Sequence, residues 1–254
     1  MTPLEHYALP AQVYGAALVF ARVGGFCMLI PGVGETHVPA ALRLAFALTL
    51  TLVLYPLLRA GLPAIPAGVD GLASQVTVEA LIGLGLGALL RLFLATLDIA
   101  GEIVSLQTTL SFAQTANPTE AQPTGTVTSF LALLGLGLVF GTNLHHVFLA
   151  GVVHSYTLFP PAHAPPIGDF GRLATRMVGE CFTLGVQLSA PVMVFSLIFN
   201  VALGFVARAM PQFQVFFAAT PLQVLLGLSI FALSLGVFGL IWVDRFHAFA
   251  DRLT

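Results

Sequence analysis

The chain is expected to be an all-α polytopic membrane protein of about six long, partly kinked helices, with a polar re-entrant loop between the third and fourth. Three observations predict this. Of its 254 residues 57% are hydrophobic and 8% charged, where soluble domains carry about 25% charged residues; mean hydropathy is +0.97. Such a chain cannot wrap itself in water-preferring side chains. The apolar residues also come in unbroken runs of helix length, not in the short alternating strands of a membrane barrel. Finally, "QTTLSFAQTANPTEAQPTGT" at 107–126 is rich in hydroxyls and amides but has one charge, Glu120. That is too polar for a span and too sparsely charged for an ordinary exposed loop.

The first run covers Val13 to Ile30, interrupted by Arg22, and "PGVGETHVP" (31–39) ends it with prolines and glycines. The second is Ala40 to Leu58, with Arg43 near its start, and "GLPAIPAGVDG" (61–71) follows. The third, about Leu72 to Val104, exceeds the roughly 20 residues that cross a bilayer. It contains Glu79, Arg91, Asp98 and Glu102, so lipid cannot surround it. After the polar stretch, Val127 to Val153 is apolar and uncharged, and "FPPAHAPPIGDFG" (159–171) reads as a Pro-rich loop. Leu173 to Val206 holds Glu180, Gln187, Pro191 and Asn200; "RAMPQ" (208–212) punctuates; Phe213 to Val243 is the last run before a polar tail, "DRFHAFADRLT". Arg245 and Arg252 in the tail, with Arg172 and Arg176, favour a cytoplasmic C-terminus by the positive-inside rule. The first ten residues hold no Arg or Lys, so no cleavable signal peptide is expected.

Several chemistries are set aside on these residues. All nine basic residues are arginine and net charge is −2, which offers no basic patch for nucleic acid. Cys27 and Cys181 are isolated in apolar surroundings and read as buried small side chains, not as a disulfide or metal pair. "IGLGLG" (82–87) lies inside an apolar helix, whereas a phosphate loop needs a strand before it and a solvated helix start after it. Gly83 and Gly87, like Gly137 and Gly141, read as small-xxx-small pairs that let helix backbones approach. His145 and His146 point about 100° apart on a helix, and His154 aligns with neither; no metal site is expected. No nucleophile elbow, zinc motif or Ser/His/Asp arrangement stands out, so neither an enzyme nor a cofactor is expected. The charges Arg22, Glu79, Arg91, Glu102, Glu180 and Arg208 lie in or beside apolar runs. At least about 2.5–3.5 kcal/mol for each at the bilayer centre means that they face protein, water or one another. Structural pairing is favoured over an ion relay, because no helix carries a dense row of acids.

The stretch 107–126 cannot be continuous helix, since Asn117-Pro118 and Gln122-Pro123 interrupt it. Non-helical backbone at membrane depth is tolerated only where protein encloses it or water fills a cavity beside it. Hydroxyl and amide side chains suit such a place, and Phe112 is an aromatic able to close a constriction by excluding water. A plain extramembrane connector is the other reading.

Three segments carry the marks of one known family. "PGVGETHVPAALRLAFALTLTLVLYP" (31–56) is similar to its early segment and "EALIGLGLGALLRLFLATLDIAGEIVSLQTTLSFA" (79–113) to its central one. "FNVALGFVARAMPQFQVFFAATPLQVLLG" (199–227) resembles the C-terminal one, with Asn200, Gly204, Arg208, Pro211, Gln212, Phe216 and Pro221 in place. The chain thus resembles the FliR family, the flagellar type III export-gate subunit, and the likeness covers almost its whole length in the right order. Thr108-Thr109 replaces a small pair before Leu-Ser-Phe, and Asn117-Pro118 replaces Asp-Pro, so no role for that acid carries over.

The resemblance implies a single integral membrane export-gate domain over 1–254, beside P-type and Q-type subunits and a B-type switch subunit. It would help pass unfolded flagellar proteins across the bacterial inner membrane, at the flagellar basal body. The 107–126 loop would be the channel plug, with Leu110, Ser111, Phe112, Ala113, Gln114, Asn117 and Pro118 as its residues. Glu79, Glu102, Arg208, Pro211 and Gln212, with Gly83 and Gly87, would be partner or helix-packing contacts. The corresponding subunit of a virulence injectisome is the alternative within this class. A small-solute or ion transporter is the alternative outside it, although the two halves carry no convincing repeat.

Overall fold

The computed structural model describes residues 3–35, 37–111, 125–161, 167–210 and 214–250. Those residues are helical apart from short turns. In chain order they form α1 (Pro3–Leu29), α2 (Ala40–Leu58) running into a 3₁₀ turn (Arg59–Gly61), α3 (Val69–Gln107), α4 (Thr126–Gly141), α5 (Leu144–Leu158), α6 (Ile167–Ala209) and α7 (Val215–Ala250). Helix is the only state in which a lipid-facing segment satisfies its own backbone. The break after α1 falls at Pro31, which has no N–H to give the helical ladder, and at Gly32, which takes φ 89°, open to glycine at no steric cost.

Among the described residues, five segments are long and apolar enough to cross a membrane: Pro10–Leu29, Ala40–Gly61, Val69–Gln107, Phe170–Ala209 and Phe217–Phe249. α4 and α5 meet at 74° and, counted as one broken crossing, bring the number to six. The chain is an all-α polytopic membrane protein. The continuous run expected from 127 to 153 is thus two helices. The reason is local: Asn143, at φ 59° and ψ 20°, takes the left-handed conformation as the N-cap of α5, a geometry that asparagine adopts more readily than other non-glycine residues. Two further boundaries differ from expectation. α6 begins at Ile167, inside the supposed Pro-rich loop, and α7 continues to Ala250 through most of the supposed tail. Trp242, Phe246 and Phe249 recur at helical spacing and are all buried, and the polar residues between them follow that periodicity outward.

The chain divides into two compact units. The first comprises residues 1–93, 142–177 and 249–254; the second comprises 94–141 and 178–248. In the first, Val19, Val23 and Phe26 of α1 with Ile30 just beyond it, Ile82, Leu86, Leu89 and Phe93 of α3, and Leu144, Phe148 and Val152 of α5 are buried at helical spacing. In the second, Leu97 and Val104, Leu131 and Val139, Leu188 and Val192, and Phe231, Phe238 and Trp242 do the same. Large apolar side chains also point outward: Leu52 is 74% exposed, Phe217 79% and Leu233 84%. Faces this apolar require lipid or another protein to cover them.

Candidate functional site

The two described ends of the polar segment, residues up to 111 and from 125, meet in the second unit at a closed stem. On the outgoing side α3 ends at Gln107. Thr108 is fully buried and bonds its hydroxyl to the Val104 carbonyl at 2.8 Å. Thr109 then turns to φ 62°, which stops the helix abruptly. The buried side-chain amide of Gln223, on α7, donates to the Gln107 carbonyl at 2.9 Å. One turn along α7, a Cβ on Gly227 would lie 2.6 Å from Thr108 Cγ2, so only glycine lets the two helices meet there. On the returning side, the Thr128 hydroxyl donates to Glu102 Oε1 at 2.8 Å. A Cβ on Gly101 would be 2.5 Å from Thr128 Cα, and one on Gly125 would be 3.0 Å from Ser105 Oγ. Residues 101–108 and 125–128 are therefore in direct contact, and the segment between them starts and finishes at one place. Two buried hydroxyls of this stem, Ser105 Oγ and Thr109 Oγ1, have no hydrogen-bond partner among the described residues. Buried polar atoms of that kind call for water or a further polar group.

The first unit contains a second polar centre. Arg22 on α1 is fully buried, and Glu79 on α3 nearly so. Arg22 Nε donates to Glu79 Oε2 at 2.6 Å and Nη2 to Oε1 at 3.1 Å, a bidentate pair. Nη1 donates to the carbonyl of Ser155 at 3.0 Å and to its hydroxyl at 3.2 Å, and Nη2 also donates to the Phe159 carbonyl at 2.9 Å. All five guanidinium N–H groups thus have acceptors. The carbonyls belong to the end of α5, where a cation also opposes the negative end of the helix dipole. The guanidinium lies 4.0 Å over the Tyr156 ring. A charge pair can be buried at tolerable cost only when satisfied this completely. Beside it α1 and α3 touch at the backbone: a Cβ on Gly83 would sit 1.9 Å from the Arg22 carbonyl oxygen, and one on Gly25 2.7 Å from that of Ala80.

The comparisons with known proteins decide what carries these features. The family model described as bacterial export proteins, family 1, matches residues 13–249. The flagellar biosynthetic protein FliR of Caulobacter vibrioides is 51% identical over 251 residues, spanning 99% of this chain and 100% of that protein. The FliR proteins of Bacillus subtilis and Escherichia coli are each 30% identical, over 82% and 83% of this chain and 80% of their own length. The chain belongs to the FliR family. It is a membrane protein of flagellum biogenesis and protein export, and its relatives are named for biosynthesis of the flagellum, not for catalysis.

The expected site residues of this FliR-family chain fall into three groups. Leu110 and Ser111 begin a helical turn just beyond the stem and are half-buried. Phe112, Ala113, Gln114, Asn117 and Pro118, and likewise Pro211 and Gln212, lie outside the described residues. Of the remainder, Glu79 pairs with Arg22, Gly83 and Gly87 face α1, Glu102 is exposed at the stem, and Arg208 is exposed in the last turn of α6. The other glycine pair differs: Gly137 and Gly141 have no atom within 4 Å of where a Cβ would stand. The close approach on α4 is at Gly135, where a Cβ would meet Leu97 Cδ1 at 2.1 Å. Cys27 and Cys181 are buried free thiols. The His145 and His146 rings lie 4.2 Å apart, and among the described residues no three His, Cys, Asp or Glu side chains converge as metal ligands. Sequence reasoning passed over Gln223, Thr128 and Ser155. Gln223 had a signal, as an amide buried in an otherwise apolar helix.

Proposed function

We propose that this chain is one subunit of the flagellar type III export gate and that residues 107–126 form a polar plug in its channel. The observation that carries the reading is the closed stem. A segment of amides and hydroxyls with one charge hangs from two helix ends held together by Gln223, Thr128, Gly125 and Gly227. A connector between distant helices has no need of such a stem, whereas a stopper must be tethered firmly and remain free to move beyond its tether. The unpartnered hydroxyls of Ser105 and Thr109 fit a water-containing surround. The flagellar names of the relatives favour the flagellar gate over an injectisome subunit.

The broad apolar outer faces of α2, α6 and α7 would be covered by lipid and by P-type and Q-type subunits, with a B-type switch subunit adjoining, in the inner membrane at the basal body. Unfolded export substrates would displace the loop sterically. Membranes containing the assembled gate with residues 112–118 deleted test this. They should leak small ions while the intact gate holds them; a verified assembly that stays tight after the deletion would remove the plug.

A further inference from the structure

A cavity of about 250 Å³ in the first unit is lined by Phe20, Gly24, Cys27 and Met28 of α1 and by Ala40, Arg43, Leu44 and Ala47 of α2. Its walls are apolar apart from Arg43, a half-buried residue whose Nε alone is shielded from solvent and has no hydrogen-bond partner among the described residues. An unsatisfied N–H on a cation is among the costlier groups to leave buried. Arg43 also stands in the first turn of α2, where a helix favours negative charge, yet that turn contains no acid and no side chain caps it. The Leu42 and Arg43 amides already reach the Pro39 carbonyl, while those of Ala40 and Ala41 have no partner within an α-helix. An anion here would relieve the buried donor, the misplaced cation and the open amides together. α2 opens a segment long and apolar enough to cross a membrane, a crossing that would put Arg43, about 4.5 Å along its axis, at headgroup level.

We propose that this cavity binds one anionic phospholipid, its phosphate accepting from Arg43 Nε and the first amides of α2 and the start of one acyl chain lying against Phe20, Cys27, Met28 and Leu44. The site is independent of the plug. Phosphatidylglycerol and phosphatidylcholine carrying the same acyl photo-label are compared on the full chain in nanodiscs. Phosphatidylglycerol should label residues 20–47 roughly fivefold more strongly, the preference expected of one basic group near an anionic headgroup. Arg43→Gln should abolish that preference and Arg43→Lys should keep most of it. A Cβ at position 24 meets only the Phe20 ring, at an ordinary 3.7 Å, so Gly24→Leu should fill the cavity and reduce labelling by both lipids. Equal labelling by the two lipids, or a preference that survives Arg43→Gln and Gly24→Leu, overturns the site. Competition by inorganic phosphate alone would reveal a free-anion site, and loss of labelling on co-expression with gate partners a protein interface; either result overturns it too.

Discussion

Replacing Arg22 with Met removes the guanidinium but keeps most of the side-chain volume. The Glu79 carboxylate, 1% exposed, is then left without its bidentate partner, and the Ser155 and Phe159 carbonyls lose the donor that closes α5. Breaking a buried pair from one side costs about 3–5 kcal/mol, because the surviving charge is uncompensated. Glu79→Met strands the cation instead and should cost a similar amount, softened by the three bonds Arg22 keeps to Ser155 and Phe159. Arg22→Met combined with Glu79→Met leaves no orphan charge. It should lie within about 2 kcal/mol of the natural chain, since an apolar replacement of a whole buried pair is often nearly neutral. The assay is a double-mutant cycle on the purified full chain, unfolded by SDS titration and followed by far-ultraviolet circular dichroism. The reasoning fails if the two single substitutions simply add in the double variant, or if Arg22→Met costs less than about 1 kcal/mol.

Gly83→Ala should destabilise the chain markedly, because the new methyl would stand 1.9 Å from the Arg22 carbonyl oxygen, while Gly137→Ala should be neutral or slightly stabilising in open space; thermal unfolding in detergent compares the two. Gln223→Leu leaves the Gln107 carbonyl without its donor and should cost about 1–3 kcal/mol; faster proteolysis between residues 107 and 126 than in the natural chain would register the loosened stem. Asn143→Val puts a β-branched side chain at φ 59° and should lower the melting temperature, whereas Asn143→Gly should retain it; an unchanged valine variant would contradict the stated cause of the 74° bend.

The membrane class, the helical runs and the odd polarity of 107–126 were legible because composition and periodicity act over many residues. What was not legible depends on partners far apart in sequence. That Arg22 and Glu79 need pairing follows from their apolar surroundings, but 57 residues separate them, and nothing local says that they meet or that α5 ends beside them. The glycines make the same point. Gly83 and Gly137 sit in identical small-xxx-small patterns, yet one faces the α1 backbone and the other faces nothing within 4 Å; the pattern marks a permitted approach, and tertiary structure decides which is used. Asn143 was missed for a different reason. It interrupts an apolar run without proline or charge, so the run still reads as one greasy stretch, although Gly-Thr-Asn is itself a turn signal. In the tail, Asp244 and Arg245 drew attention away from the helical spacing of Trp242, Phe246 and Phe249, all of which are buried.

In the proposed gate, the segment tethered by Gln223 and Thr128 occupies the path of the exported polypeptide. A photo-crosslinking amino acid at position 112, in cells whose gate holds a stalled export substrate, puts this to the test. The account predicts a covalent adduct between this chain and the substrate, and none when the same group replaces Leu233 on the outward face of α7. An adduct to lipid alone at position 112, or substrate adducts of equal yield from both positions, would contradict it.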